Sequence, residues 1–233
     1  MAETPYRTAL IVGAGSGISA SLARALAAAG LKVGLVARDV GKLAALANET
    51  GAMTFAADAS DPVAVATLFE QVDASLGEPD LVIYNASARV RGPLAEIDPE
   101  AVRQAVAVTA FGGFLVAQQA ARRMVPHGRG AILFTGATAG IKGFPASAAF
   151  AMGKFALRGL AQSAARELGP QGIHVVHFVI DGAVRSGTRP DPEDRPDSTL
   201  SPDGIAQAYL AALQQPRNAW SSEIELRPWL ETF

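Results

Sequence analysis

Five residues, Thr8-Ala9-Leu10-Ile11-Val12, run without polar alternation straight into Gly13-Ala14-Gly15-Ser16-Gly17, and no other feature narrows the fold as much. A strand with no alternation is buried on both faces, which a sheet covered by helices on both sides provides. The glycines then make a turn, and residues 18–29 read as an alanine-rich helix ended by Gly30. The alternation repeats along the chain. Strands are predicted at 32–36, 53–56, 80–84, 131–135, 173–180 and 223–226. Between them fall helices to about 49, from Asp61-Pro62, from Asp98-Pro99 to about 125, over about 147–168, and from Ser201-Pro202 to about 215. Asp or Ser before Pro is a helix start, with the acid or hydroxyl as N-cap and proline at the first helical position. Strands and helices in this rhythm argue an α/β fold, one domain over 1–233, with a parallel sheet wound on both faces. The Pro-, Asp- and Ser-rich stretch 186–203 reads as a mobile, lid-like surface loop within it.

Composition removes several function classes. The formal net charge is −2, so neither nucleic acid nor an anionic membrane is expected as a partner. The chain has no cysteine, which excludes disulfides, thiolate catalysis and Cys-ligated metals. Its three histidines, His127, His174 and His177, have no metal-ligand spacing, and the last two fall on opposite faces of a predicted strand. No uninterrupted apolar run reaches the ~18 residues that span a bilayer. The N-terminus lacks a basic stretch ahead of a long apolar core, and a cytoplasmic protein is expected.

A doubly wound sheet binds ligands beyond the carboxyl ends of its strands, and a dinucleotide pyrophosphate sits on the first helix N-terminus. Glycine is needed there because a side chain would keep the backbone N–H groups from the phosphate oxygens. A second stretch completes the pattern: Ala131-Ile132-Leu133-Phe134-Thr135-Gly136-Ala137-Thr138-Ala139-Gly140, followed by a helix carrying Phe150-Ala151-Met152-Gly153-Lys154. An aromatic residue and a lysine four apart on a helix share one face.

Together these motifs resemble the short-chain dehydrogenase/reductase family over nearly the whole length of the chain. The resemblance implies a Rossmann-like domain with seven mostly parallel strands in the order 3-2-1-4-5-6-7. It also implies a nicotinamide dinucleotide held by Gly13, Ser16, Gly17, Ile18, Arg38, Asp58, Ala59, Asn85, Ala86, Lys154, Gly182 and Val184. Arg38, with Ala37 and no acid before it, favours NADP(H) over NAD(H) because a cation there suits a 2′-phosphate. The family's Gly-x-x-x-Gly-x-Gly ends here in Ser19, its Asn-Ala-Gly reads Asn85-Ala86-Ser87, and its Pro-Gly reads Asp181-Gly182.

The family's acid/base residues are a tyrosine four before the lysine, a serine thirteen before that tyrosine, and an asparagine in the long fourth helix. The matching positions are Phe150, Ala137 and Thr109. Neither phenylalanine nor alanine has a side-chain donor or acceptor. This chain is similar to divergent subgroups with Phe for Tyr and the lysine kept. The expected function is an oxidoreductase with an unknown small-molecule substrate and weak or absent Tyr/Ser chemistry. The alternative is a cofactor-binding pseudoenzyme, a sensor or assembly partner. Thr135, Thr138, Ser147 and Asp181 are the substitute proton donors in reach, and Tyr84 is placed near the cofactor but on the wrong element. Small-residue faces on the two long helices (Gly112-Gly113, 117–121) imply a homodimer or homotetramer.

Overall fold

The computed structural model describes residues 4–231. Seven strands form one parallel sheet: β1 (Thr8–Val12), β2 (Lys32–Ala37), β3 (Met53–Ala56), β4 (Leu81–Tyr84), β5 (Gly130–Thr135), β6 (Ile173–Ile180) and β7 (Glu223–Leu226). Their order is β3-β2-β1-β4-β5-β6-β7, as expected. The chain travels outward from β1 to β3 and returns to place β4 beside β1. That reversal opens a crevice at the carboxyl ends, where Val12 lies level with Val36 on one side and Tyr84 on the other.

The helices are α1 (Ile18–Ala28), α2 (Ala44–Thr50), α3 (Pro62–Leu76), α4 (Pro99–Val106), α5 (Gly112–Met124), α6 (Ala148–Leu168) and α7 (Pro202–Leu213). Side chains alternate across each strand, so β1 sends Leu10 and Val12 to a core that includes Phe69, Leu115, Phe134 and Leu157. Ala9 and Ile11 go to the opposite core with Leu22, Leu26, Phe178 and Tyr209. The three helix starts read from sequence are capped as their chemistry requires. Asp61 accepts from the N–H groups of Val63 (2.8 Å) and Ala64 (3.2 Å), Asp98 from Glu100 and Ala101, and Ser201 from Gly204.

One element departs from expectation. The single helix predicted from Asp98-Pro99 to about 125 is interrupted by a π-turn, Ala107–Phe111. Two distant groups hold it: the Tyr84 hydroxyl donates to the Val108 carbonyl, and Thr109 Oγ1 accepts from the Ala88 N–H at 3.1 Å. Such bulges insert one extra residue per turn and often border sites. The stretch Pro99–His127 is also long and apolar enough, by length and composition, to cross a membrane. Counting uninterrupted apolar residues did not register this. In the fold its Ala105, Thr109, Leu115, Val116, Ala120 and Met124 are buried.

Candidate active site

The first turn is built for close approach. Gly13 has φ +86°, and a Cβ there would collide with the Ala86 backbone. Gly15 and Gly17 face open space instead, with nothing within 4 Å of a built Cβ. Gly17 caps α1 without a side-chain bond, so the first N–H groups of the helix remain available to an anion. Ser19, standing where the family has glycine, is buried and acts as a fastener. Its hydroxyl donates to the Gly13 carbonyl (3.1 Å) and accepts from Asn85 Nδ2 (2.7 Å), tying the turn to the end of β4.

A cavity of about 710 Å³ follows, lined by Gly13, Ser16, Arg38, Asp58, Ala59 and Ala86 among others. Asp58 accepts from the Ser60 hydroxyl (2.7 Å) and N–H (2.9 Å), which hold its carboxyl below the ordinary range with help from Arg38. Lys42 lines the same space, and sequence reasoning missed it. It sits on the 3₁₀ turn Val40–Leu43, four residues past Arg38. The adjoining cavity, about 400 Å³, is lined by Ile18, Asn85, Ala137, Phe150, Lys154, Gly182 and Val184. Gly17 lines the opening beside Ile18 and Val184. Thus the residues expected to hold a dinucleotide form one continuous rim over the strand ends.

Lys154 is the unusual group. It is 3% exposed, and its Nζ donates to the Thr135 carbonyl at 2.6 Å. No ion pair with a carboxylate reaches it among the described residues. Burial, and then repulsion from Arg89, pull its pKa from 10.5 down to about 7. Beneath it His177 stays mostly neutral, its pKa lowered by burial, with Nδ1 3.0 Å from Glu223 Oε2.

Phe150, Ala137 and Ala139 pack together in a small buried cluster, so the two positions that the motif resemblance matched to tyrosine and serine adjoin. Most of the proposed substitute donors are committed elsewhere. Asp181 is held by Arg227 at 2.6 Å, and the Thr135 hydroxyl pairs with the Tyr209 hydroxyl at 2.9 Å on the far side of the sheet. Thr109, the third matched position, accepts from the Ala88 N–H. Tyr84 is fully buried beneath the π-turn, and burial pushes its pKa up. Thr138 and Ser147 do line the outer opening. Ser147 Oγ donates to the Phe144 carbonyl at 3.1 Å.

The sequence reading also missed Arg89, whose guanidinium lies 4.3 Å over the Phe150 ring. Arg89 and Arg91 lie two residues apart in the loop after β4, and both line the outer opening. The 186–203 stretch contributes Arg189 to the rim. Its Asp191 accepts from Thr199 and pairs with Arg185 at 2.7 Å, so this segment carries internal ties.

The profile of the short chain dehydrogenase family matches residues 7–194. The chain belongs to that family. Among relatives of this short-chain dehydrogenase, the L-2,3-butanediol dehydrogenase of Corynebacterium glutamicum is 30% identical over 190 residues, 78% of this chain and 73% of the relative. A short-chain dehydrogenase structure from Rhodopseudomonas palustris superposes with a TM-score of 0.81 at 36% identity, covering 96% of this chain and 99% of that one. A metagenomic short-chain oxidoreductase in complex with NADP superposes with a TM-score of 0.85 at 31% identity, covering 96% and 98%. This short-chain dehydrogenase is therefore an oxidoreductase by family, with a fold that binds a nicotinamide dinucleotide.

Proposed function

We propose that this chain is an NADP(H)-dependent oxidoreductase whose site works without the tyrosine and serine hydroxyls usual in its family. The observation that carries the reading is Lys154. A buried ammonium without a carboxylate is costly, and it is retained here in the same cavity as Asn85, Ile18 and Gly182. The open space over Gly15 and Gly17 at an uncapped helix start fits a pyrophosphate, and Arg38 with Lys42 fits a 2′-phosphate. Bound there, a nicotinamide supplies hydride at its C4 to an electrophilic carbon. Lys154 orients the ribose hydroxyls and adds positive charge near the reacting oxygen. Phe150 and Ala137 exclude water without donating a proton, so the proton comes from Lys154 or from solvent.

Phe150 and Ala137 also favour a second reading, a nucleotide-binding pseudoenzyme. One paired experiment separates the two: NADPH binding by fluorescence, and NADPH oxidation across a carbonyl panel. Binding with turnover supports the enzyme, binding alone supports the pseudoenzyme, and no binding removes both. Arg38→Ala is expected to weaken NADPH by about 10–100-fold, the worth of a charge-assisted contact, while NADH changes little. Equal losses for both nucleotides would leave Arg38 without a role in the preference.

We further propose a homo-oligomer through α5 and α6. Phe114, Met152 and Phe155 are exposed on these helices, and Ala117, Ala121, Leu160 and Ala164 line a groove between them. Light scattering is expected to give twice or four times 24.0 kDa, and a monomer would refute it.

A further inference from the structure

Past Phe150 the nicotinamide cavity gives way to a second opening of about 360 Å³, lined by Arg89, Arg91, Phe144, Ser147, Phe150 and Ile180 among others. Arg189 stands at the boundary, in the adjoining cavity. None of these three arginines forms an ion pair among the described residues, and no Asp or Glu lines either cavity. Asp181 is paired with Arg227 and Asp191 with Arg185, and Glu231 lies behind Gly182 at the edge of both cavities. In a chain of net charge −2, three uncompensated cations at one mouth are a marked local excess. They repel one another, and Arg91 and Arg189 add to the partial desolvation of Arg89 in disfavouring its charge. An anion would relieve that repulsion.

The geometry also says how an anion would be gripped. The Arg89 guanidinium carbon lies 4.3 Å over the centroid of the Phe150 ring, which covers one side of the group. A guanidinium carries its N–H groups in its own plane, and those of Arg89 form no ion pair among the described residues, so its edge can take a carboxylate through two parallel bonds. Lys154 Nζ lies 5.8 Å from the centroid of the same ring. A group seated beside Phe150 therefore meets Arg89 as well as Lys154.

We propose that the outer cavity binds a substrate bearing a carboxylate close to its carbonyl, with Arg89 as the bidentate carboxylate ligand and Arg91 and Arg189 as the surrounding field. The inference rests on the oxidoreductase reading and names the substrate class of that site. A carbonyl oxygen next to an Arg89-held carboxylate lies among fixed positive charges, which stands in for the hydrogen-bond donors absent at Phe150 and Ala137.

The test is calorimetric and needs no turnover. Phenylglyoxylate and its uncharged methyl ester are titrated into the full chain, bare and saturated with NADP+, with NADP+ affinity measured separately. The acid is expected to bind at least about tenfold tighter than the ester. Arg89→Gln should erase that difference while NADP+ still binds, and Arg89→Lys should restore it in part, since it keeps the charge and loses the fork. Equal affinity for acid and ester, no binding of the acid, or an Arg89→Gln loss confined to NADP+ would each overturn the proposal. If NADP+ itself fails to bind, the cofactor reading falls alone, and the acid titration on the bare chain still decides the anion site. Thermal melts of both variants, expected within a few degrees of the parent because Arg89 is exposed, confirm that they are folded.

Discussion

Lys154→Met is expected to make the folded chain more stable at pH 6 while destroying its capacity for NADPH. The sign follows from the titration. Folded Lys154 loses its proton near pH 7, whereas in the unfolded chain it does so near its ordinary 10.5. Below pH 7 both states carry the charge, and the cost of burying it is fully present. Between 7 and 10.5 the unfolded state holds the extra proton, so wild-type stability rises with pH across that window. Methionine has no such slope. The advantage of the variant at pH 6 is on the order of a few kcal/mol. It is reduced by about 1 kcal/mol for the Thr135 carbonyl left without its donor. It should shrink steadily towards pH 10. The other ionisable groups around the amine do not reverse this: Arg89 keeps its charge throughout, and His177, paired with Glu223, has lost its proton by pH 7. Urea titrations at pH 6, 8 and 10 read the effect. Parallel profiles for the two proteins would mean that the amine is solvated, not dry. NADPH fluorescence should show affinity reduced by more than about tenfold, the loss of at least one charged contact.

Phe150→Tyr combined with Ala137→Ser is expected to create carbonyl reductase activity toward a neutral ketone. The two positions already touch, so the hydroxyls would arrive side by side above Lys154. An ammonium near the new phenol lowers its pKa, and the serine gives the developing oxyanion a donor. General acid catalysis is worth about 10²–10⁴ and one oxyanion donor about 10²–10³, so the combined gain should reach at least about 10²-fold over the parent. NADPH absorbance decay with acetophenone is the measurement. A folded double variant, saturated with NADPH, that stays at the parent's rate would show that more than two hydroxyls is missing. Arg89 keeps an aromatic face to stack on in this variant, so its position should survive the change.

The fold was legible because its signals are local. β1, β3, β6 and β7 begin and end where the sequence placed them, and the other strands lie within a residue, since runs such as Ile132-Leu133-Phe134 are buried on both faces. Asp61 and Asp98 announce their helices through bonds that reach only two or three residues. The glycine turn and the Phe150–Lys154 pairing were legible for the same reason. What could not be read depends on partners far along the chain. The tie of Asp181 to Arg227 removes a candidate acid, and nothing near Asp181 announces it. Arg89 acquires meaning only when α6 brings Phe150 beneath it. The π-turn is held by a hydroxyl on β4 and an N–H after it, both far from 99–125 in the chain.

That turn sets the phase of everything after it. With one residue more than an α-helix needs, Ala107–Phe111 rotates α5 by about 100° against α4, a full residue's worth of screw. The rotation is what brings Gly112 under the Tyr84 hydroxyl and Gly113 against Leu157 of α6, where no larger side chain has room. Removing one residue from the turn would let the two helices fuse into a straight rod and swing both glycines away from Tyr84 and Leu157, leaving larger side chains to meet them.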